Sequence, residues 1–226
     1  RPELVRRQME AVFEELPPLA VKTGMLYSAE IIRVVVEFFG RGRRPPLIVD
    51  PVMVATSGAR LLKPSAIRIL QEQLLPLAAL VTPNLDEAEI LVDRKLRSVE
   101  DLRAAAREIH RRFHCAALVK GGHLRGMKNA VDIFYDGERE WLLSAPFIRS
   151  VNTHGTGCTY SAAVTGGLAL GHALSKAVQL AKGYVTAAIA QSYSAAGCSM
   201  LSHFKWEKAA GYSPAFENYQ QLSHRH

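Results

Sequence analysis

Cysteine is scarce in this sequence, and its spacing rules out two classes of protein. The 226 residues hold three cysteines, Cys115, Cys158 and Cys198, an odd number set far apart. They form no Cys-x-x-Cys pair and no Cys/His metal spacing, so neither a disulfide framework nor a structural zinc site is expected. A reducing compartment suits such a chain, and a cytoplasmic protein is expected. There is no uncharged apolar run of about 18 residues or more, which argues against a membrane-spanning helix. Low-complexity segments, internal repeats and convincing linkers are also missing, so residues 1–226 are expected to form one domain. Acidic residues are the minority charge. Lys and Arg number 28 against 21 Asp and Glu, a net +7. The basic residues are dispersed, with short clusters such as Arg6-Arg7, Arg41-Gly42-Arg43-Arg44 and Arg111-Arg112. They are not gathered on one element with interleaved aromatics, which argues against nucleic-acid binding, although a positive field attracts anionic small molecules.

What the chain does have is alternation of strands and helices. Apolar spacing predicts helices over 2–16, 29–39, 64–75, 84–91, 99–113 and 175–194. Short apolar runs bounded by Gly and Pro predict strands over 19–23, 47–50, 78–82 and 115–120. Two further runs, 130–135 and 140–143, flank Asp136-Gly137 and read as a hairpin. The pattern implies an α/β fold with a mostly parallel sheet, helices on both faces and the hairpin at an edge.

One stretch stands apart: Asn152-Thr153-His154-Gly155-Thr156-Gly157-Cys158. A Gly-rich turn opening a helix gathers free backbone N–H groups at the positive end of the helix dipole, which suits phosphate. Cys158 falls in the first helical turn, where the same field favours an anionic side chain. The small residues from Ala162 to Gly171 read as a buried helix. The plainer alternative is a glycine turn packing a helix on a sheet, beside a structural cysteine.

Ligands in open α/β sheets bind beyond the carboxyl ends of the strands. Four predicted strands end in Lys22-Thr23-Gly24-Met25, Asp50-Pro51-Val52-Met53, Thr82-Pro83-Asn84-Leu85-Asp86-Glu87 and Lys120-Gly121-Gly122-His123. Singly, each has a structural explanation as a turn, a helix cap or a solvated charge. Together on one edge they supply the parts of phosphoryl transfer. The loop holds the phosphoryl group, Lys120 neutralises charge, Asp50 and Glu87 are available to Mg²⁺, and Cys158 faces the acceptor hydroxyl.

These motifs, in this order and spacing, resemble the hydroxymethylpyrimidine/phosphomethylpyrimidine kinases of thiamine biosynthesis, within the ribokinase superfamily, from near residue 1 to about residue 195. The resemblance implies a ribokinase-like three-layer α/β/α fold. It also implies phosphorylation of hydroxymethylpyrimidine and its monophosphate using ATP and Mg²⁺. Gly155, Thr156 and Gly157 correspond to the family's anion hole, and Cys158 to its catalytic base, which is aspartate in the sugar kinases. Glu87 and Asp50 correspond to the Mg²⁺ site. Lys120, Asn84 and Thr153 fall on the nucleotide side, with adenine expected between 148–153 and the last long helix. Met25 and Val52 match positions that line the pyrimidine pocket. A homodimer is implied as well. The family's opening strand and its Gly-x-Asp-x-Ser-Gly-Gly-Ala-Gly segment have no counterpart here, so the sequence is expected to be N-terminally incomplete relative to the family. Two alternatives stay open: a pyridoxal or pyridoxine kinase, and a non-catalytic module that binds pyrimidine or nucleotide in the same pocket.

Overall fold

The structure is a computed structural model that describes residues 1–42, 44–54, 60–122, 124, 128–148, 155–195, 198–204 and 214–218. Seven strands form one sheet: β1 (Val21–Thr23), β2 (Leu47–Val49), β3 (Leu80–Val81), β4 (Ala116–Lys120), β5 (Asn129–Tyr135), β6 (Glu140–Pro146) and β9 (Ala215–Asn218), adjacent in that order. β1 to β4 pair in parallel, and β4 to β9 pair antiparallel. The expected hairpin is β5–β6, but it is not the last element of the sheet. β9 pairs with β6 along 141–144, so the outer N–H and C=O groups of β6 find partners there.

Helices cover both faces. On one lie α1 (Pro2–Glu15), α2 (Ala29–Phe39), α3 (Pro64–Ile69), α4 (Leu85–Val92) and α5 (Val99–Phe113); on the other lie α6 (Thr156–Ala169) and α7 (Leu174–Ala190). The sheet residues sort by strand alternation. Leu47, Val49, Ala117 and Val119 pack toward α1–α5, while Ile48, Ala116 and Leu118 pack toward α6 and α7. Both faces are buried, which is why these strands read as continuous apolar runs.

Helix starts follow local chemistry. Ser28 accepts from the Ile31 N–H at the head of α2, and α5 opens on a full capping box between Ser98 and Asp101. One boundary and one burial pattern differ from expectation. α7 ends at Ala190, and Tyr193–Ala195 pairs with Cys198–Met200 as a small separate ribbon, β7–β8, where the spacing predicted helix to 194. α6 is buried along one side only, by Tyr160, Ser161 and Val164, while Ala162, Gly166 and Leu170 face solvent. Its small residues let α7 approach closely: a methyl on Gly167 would lie 3.0 Å from the Ala177 Cβ.

Candidate active site

The parallel strands end side by side, and backbone hydrogen bonds tie each end to the next. The Asp50 N–H donates to the Thr23 carbonyl (3.1 Å), the Thr82 N–H to Val49 (3.0 Å) and the Lys120 N–H to Pro83 (2.9 Å). Four sequence motifs far apart in the chain thus share one edge, and the N-terminus of α6 faces it.

Asp50 is the centre of this edge. It is 3% exposed, and four side chains reach its carboxylate. The Thr82 hydroxyl donates to Oδ1 at 3.3 Å, and Ser161, from the second turn of α6, donates to Oδ2 at 3.0 Å. Lys120 Nζ lies 3.3 Å from Oδ1 and Lys22 Nζ 3.7 Å from Oδ2. Two ammonium groups thus face the Asp50 carboxylate, and Lys120 also faces the Glu87 carboxyl; lysines placed at this edge suit a polyanionic ligand. The lone pairs of Asp50 are already largely committed.

Gly155 is the N-cap of α6, with φ +83°, a backbone conformation that favours glycine. It offers no side chain to the helix, so the first N–H groups keep their positive potential. A methyl on Gly157 would lie 3.1 Å from Lys120 Nζ, so the glycine lets the ammonium close on the helix turn. Thr156 Oγ1 and, at the end of β1, Thr23 Oγ1 are buried with no hydrogen-bond partner among the described residues. Buried hydroxyls normally find partners, and orphans beside a helix N-terminus fit an oxyanion ligand. Cys158 occupies the third helical position and is exposed. It opens on a cleft of about 1010 Å³ whose wall also includes Lys22, Thr159, Tyr184 and His203.

Asn84 and Glu87 form a reciprocal capping box at the start of α4. Asn84 Oδ1 accepts from the Glu87 N–H, and Glu87 Oε2 accepts from the Asn84 N–H, both at 2.9 Å. Glu87 Oε1 accepts from the Met53 N–H at 3.2 Å. The carboxyl is 2% exposed, and burial raises its pKa above the ordinary carboxylate value against the opposing charge of Lys120. Met25 lies two residues beyond the end of β1, and Val52 three residues beyond the end of the adjacent β2. Met25 is 51% exposed. His123, Thr153 and His154, with residues 55–59 and 149–152, lie outside the described residues.

Several partners were not evident from spacing. Lys22 is the central residue of β1, one position before its end, whereas Lys120 is the last residue of β4. Thr82 and Ser161 bind Asp50 across 32 and 111 residues of sequence, which no local pattern encodes. Asp132, in a buried pair with Lys182 (2.7 Å), accepts the Gly121 N–H through Oδ1 and so fixes the turn after Lys120. His203 Nε2 lies 3.1 Å from Thr159 Oγ1, beside Cys158.

Comparison with known proteins identifies the family. The phosphomethylpyrimidine kinase family model matches residues 1–200. The chain is 48% identical over 189 residues to a hydroxymethylpyrimidine/phosphomethylpyrimidine kinase of Rhizobium meliloti, covering 83% of this chain and 70% of that protein. It is 46% identical over 188 residues to the bifunctional thiamine biosynthesis protein ThiED of Geobacter sulfurreducens, covering 83% of this chain but only 38% of that one. Among solved structures, the pyridoxal kinase from Staphylococcus aureus in complex with ADP superposes with a TM-score of 0.85 at 31% identity, covering 96% of this chain and 78% of that one. The fold is therefore ribokinase-like, and the chain belongs to the phosphomethylpyrimidine kinase family.

Proposed function

We propose that this protein transfers the terminal phosphoryl group of ATP to hydroxymethylpyrimidine and then to its monophosphate, as a kinase of thiamine biosynthesis. The observation that carries this reading is the turn at Gly155–Cys158. There a helix N-terminus and a Thr156 hydroxyl, neither with a side-chain partner among the described residues, converge with the Lys120 ammonium, and the exposed thiol of Cys158 follows. The Gly155, Thr156 and Gly157 backbone stabilises the phosphoryl group in flight. Lys120, assisted by Lys22, neutralises its charge, and Asp50 holds both lysines in place. Asn84 and Thr153 belong to the nucleotide side, Met25 and Val52 to the pyrimidine side. Cys158 orients the acceptor hydroxyl and, in its thiolate form, takes up the hydroxyl proton as the new P–O bond forms and ADP departs, which suits a loose transition state that needs positioning more than covalent chemistry.

Magnesium fits this donor set in one manner. Among the described residues no group of three or more His, Cys, Asp or Glu could hold a metal. Asp50 and Glu87 are both engaged with protein donors. Asp50 and Glu87 would hold an Mg²⁺ through water rather than as direct ligands. The ion would neutralise phosphate charge.

The same reading includes a cytoplasmic protein that acts on small molecules as a homodimer, the last measurable by sedimentation. No helix among the described residues is long and apolar enough to cross a membrane. A pyridoxal kinase is the second reading, favoured by the likeness to the Staphylococcus aureus enzyme. Identity of 31% to that enzyme against 46–48% to the pyrimidine kinase and ThiED relatives puts it second. A coupled ADP-release assay on the full-length protein with hydroxymethylpyrimidine, its monophosphate and pyridoxal separates them. Turnover of both pyrimidines is expected. Turnover of pyridoxal alone would transfer the assignment, and nucleotide binding without turnover of any of the three would point to a non-catalytic module.

A further inference from the structure

Val52 has φ +41°. For a β-branched residue the left-handed region is a genuine outlier, and it persists only where the surroundings impose it. The next residue shows what imposes it here. Met53 is fully buried and its peptide groups are held on both sides. Its carbonyl accepts from the N–H groups of Leu61 (2.9 Å) and Leu62 (3.3 Å), and its N–H donates to Glu87 Oε1. The torsions of Val52 set the direction in which the Met53 N–H points, so the bond to a buried carboxylate and the strained conformation belong together.

Glu87 is placed to do this because it serves two donors from two directions. One oxygen closes the capping box of α4, and the other crosses to the loop after β2. Only a carboxylate offers two acceptor oxygens; an amide offers one. Because the acceptor is a carboxylate, the bond is stronger than one between neutral groups.

We infer that Glu87 is a positioning residue of the substrate pocket. By accepting the Met53 N–H it clamps Val52 in the left-handed conformation, and so sets the affinity for the acceptor before nucleotide or metal arrives. This goes beyond a metal-side role for Glu87. It rests on the reading above that Val52 lines the pyrimidine pocket.

Glu87→Asp separates the two roles. An aspartate at this helical position closes a capping box, as Asp101 does on Ser98 in α5, so α4 and the negative charge are kept. Its side chain is one methylene shorter and does not reach Met53. Glu87→Gln is the second variant. It keeps the length but serves one donor, and the shorter bond, to Asn84, is the one retained.

The test is calorimetric binding of hydroxymethylpyrimidine to the full-length protein in EDTA without nucleotide, together with hydrogen exchange of the Met53 amide in the ligand-free protein. Both variants should weaken metal-free pyrimidine binding about tenfold or more, the scale of a lost hydrogen bond to a charged group. Both should also strip protection from the Met53 amide. In a Val52→Gly background the penalty of Glu87→Asp should shrink, since glycine adopts positive φ without a clamp. Unchanged metal-free binding and unchanged Met53 protection in both variants would overturn the inference. Wild-type protein that binds no pyrimidine would overturn the substrate assignment instead. The exchange of the Met53 amide would then still decide whether the clamp exists.

Discussion

The two halves of the candidate site are built differently. On the phosphate side, Asp50 is 3% exposed and held by two hydroxyls and two ammonium groups, and the turn of α6 closes on Lys120. On the proposed acceptor side, Met25 is 51% exposed and Val52 has positive φ. A transferring phosphoryl group is small and its charge is the same whatever the acceptor, so rigid preorganised donors suit it. An acceptor pocket is selective through shape, and shape here depends on a few torsions held by single contacts such as Glu87 to Met53. The first half should therefore govern turnover and the second affinity for the acceptor.

Substitutions can break that division. Cys158→Ala should have the largest effect, lowering kcat by about 10²–10⁴-fold, the usual range for a lost general base, while nucleotide binding stays nearly intact. Steady-state kinetics beside nucleotide calorimetry checks it; near-normal turnover would contradict the role. Lys120→Met should follow, with kcat reduced by about 10²–10³-fold, the scale of one lost charge-stabilising donor, and little change in the KM for the pyrimidine. A change confined to that KM would place Lys120 in the wrong half. Asp50→Asn should be smaller, about tenfold in kcat, because the lysines keep their charge and lose the anion that aligns them. If Asp50 were a direct metal ligand, Asp50→Asn would be rescued by raised Mg²⁺, and the expected result is no rescue.

Much of this was legible in the sequence for a physical reason. Strand ends and helix starts demand particular residues, so Asp50, Asn84, Glu87, Lys120 and Gly155 could be placed on one edge from turn and cap chemistry alone. The layers followed from strand runs apolar on both faces. The contacts that make the site rigid were not legible, because they join residues that sequence keeps apart, as Ser161 does to Asp50. The left-handed Val52 runs against its own preference, so no propensity could reveal it. The β9 strand outside the hairpin was missed because four residues of alternating exposure give too short a pattern. The end of α7 was overrun because its small apolar residues continue through Ala190 toward Tyr193 without a Gly or Pro stop.

The proposed function turns on the exposed thiol on the first turn of α6 facing the acceptor during phosphoryl transfer. Its most direct test is limited alkylation of the full-length protein near neutral pH, with labelled sites found by mass spectrometry and residual transfer from ATP to hydroxymethylpyrimidine measured in a single turnover. Cys115 should resist, since burial pushes its thiol up to about 12. Loss of transfer should track labelling of Cys158, and bound substrates should slow both. Full transfer by protein quantitatively labelled at Cys158 would contradict the account.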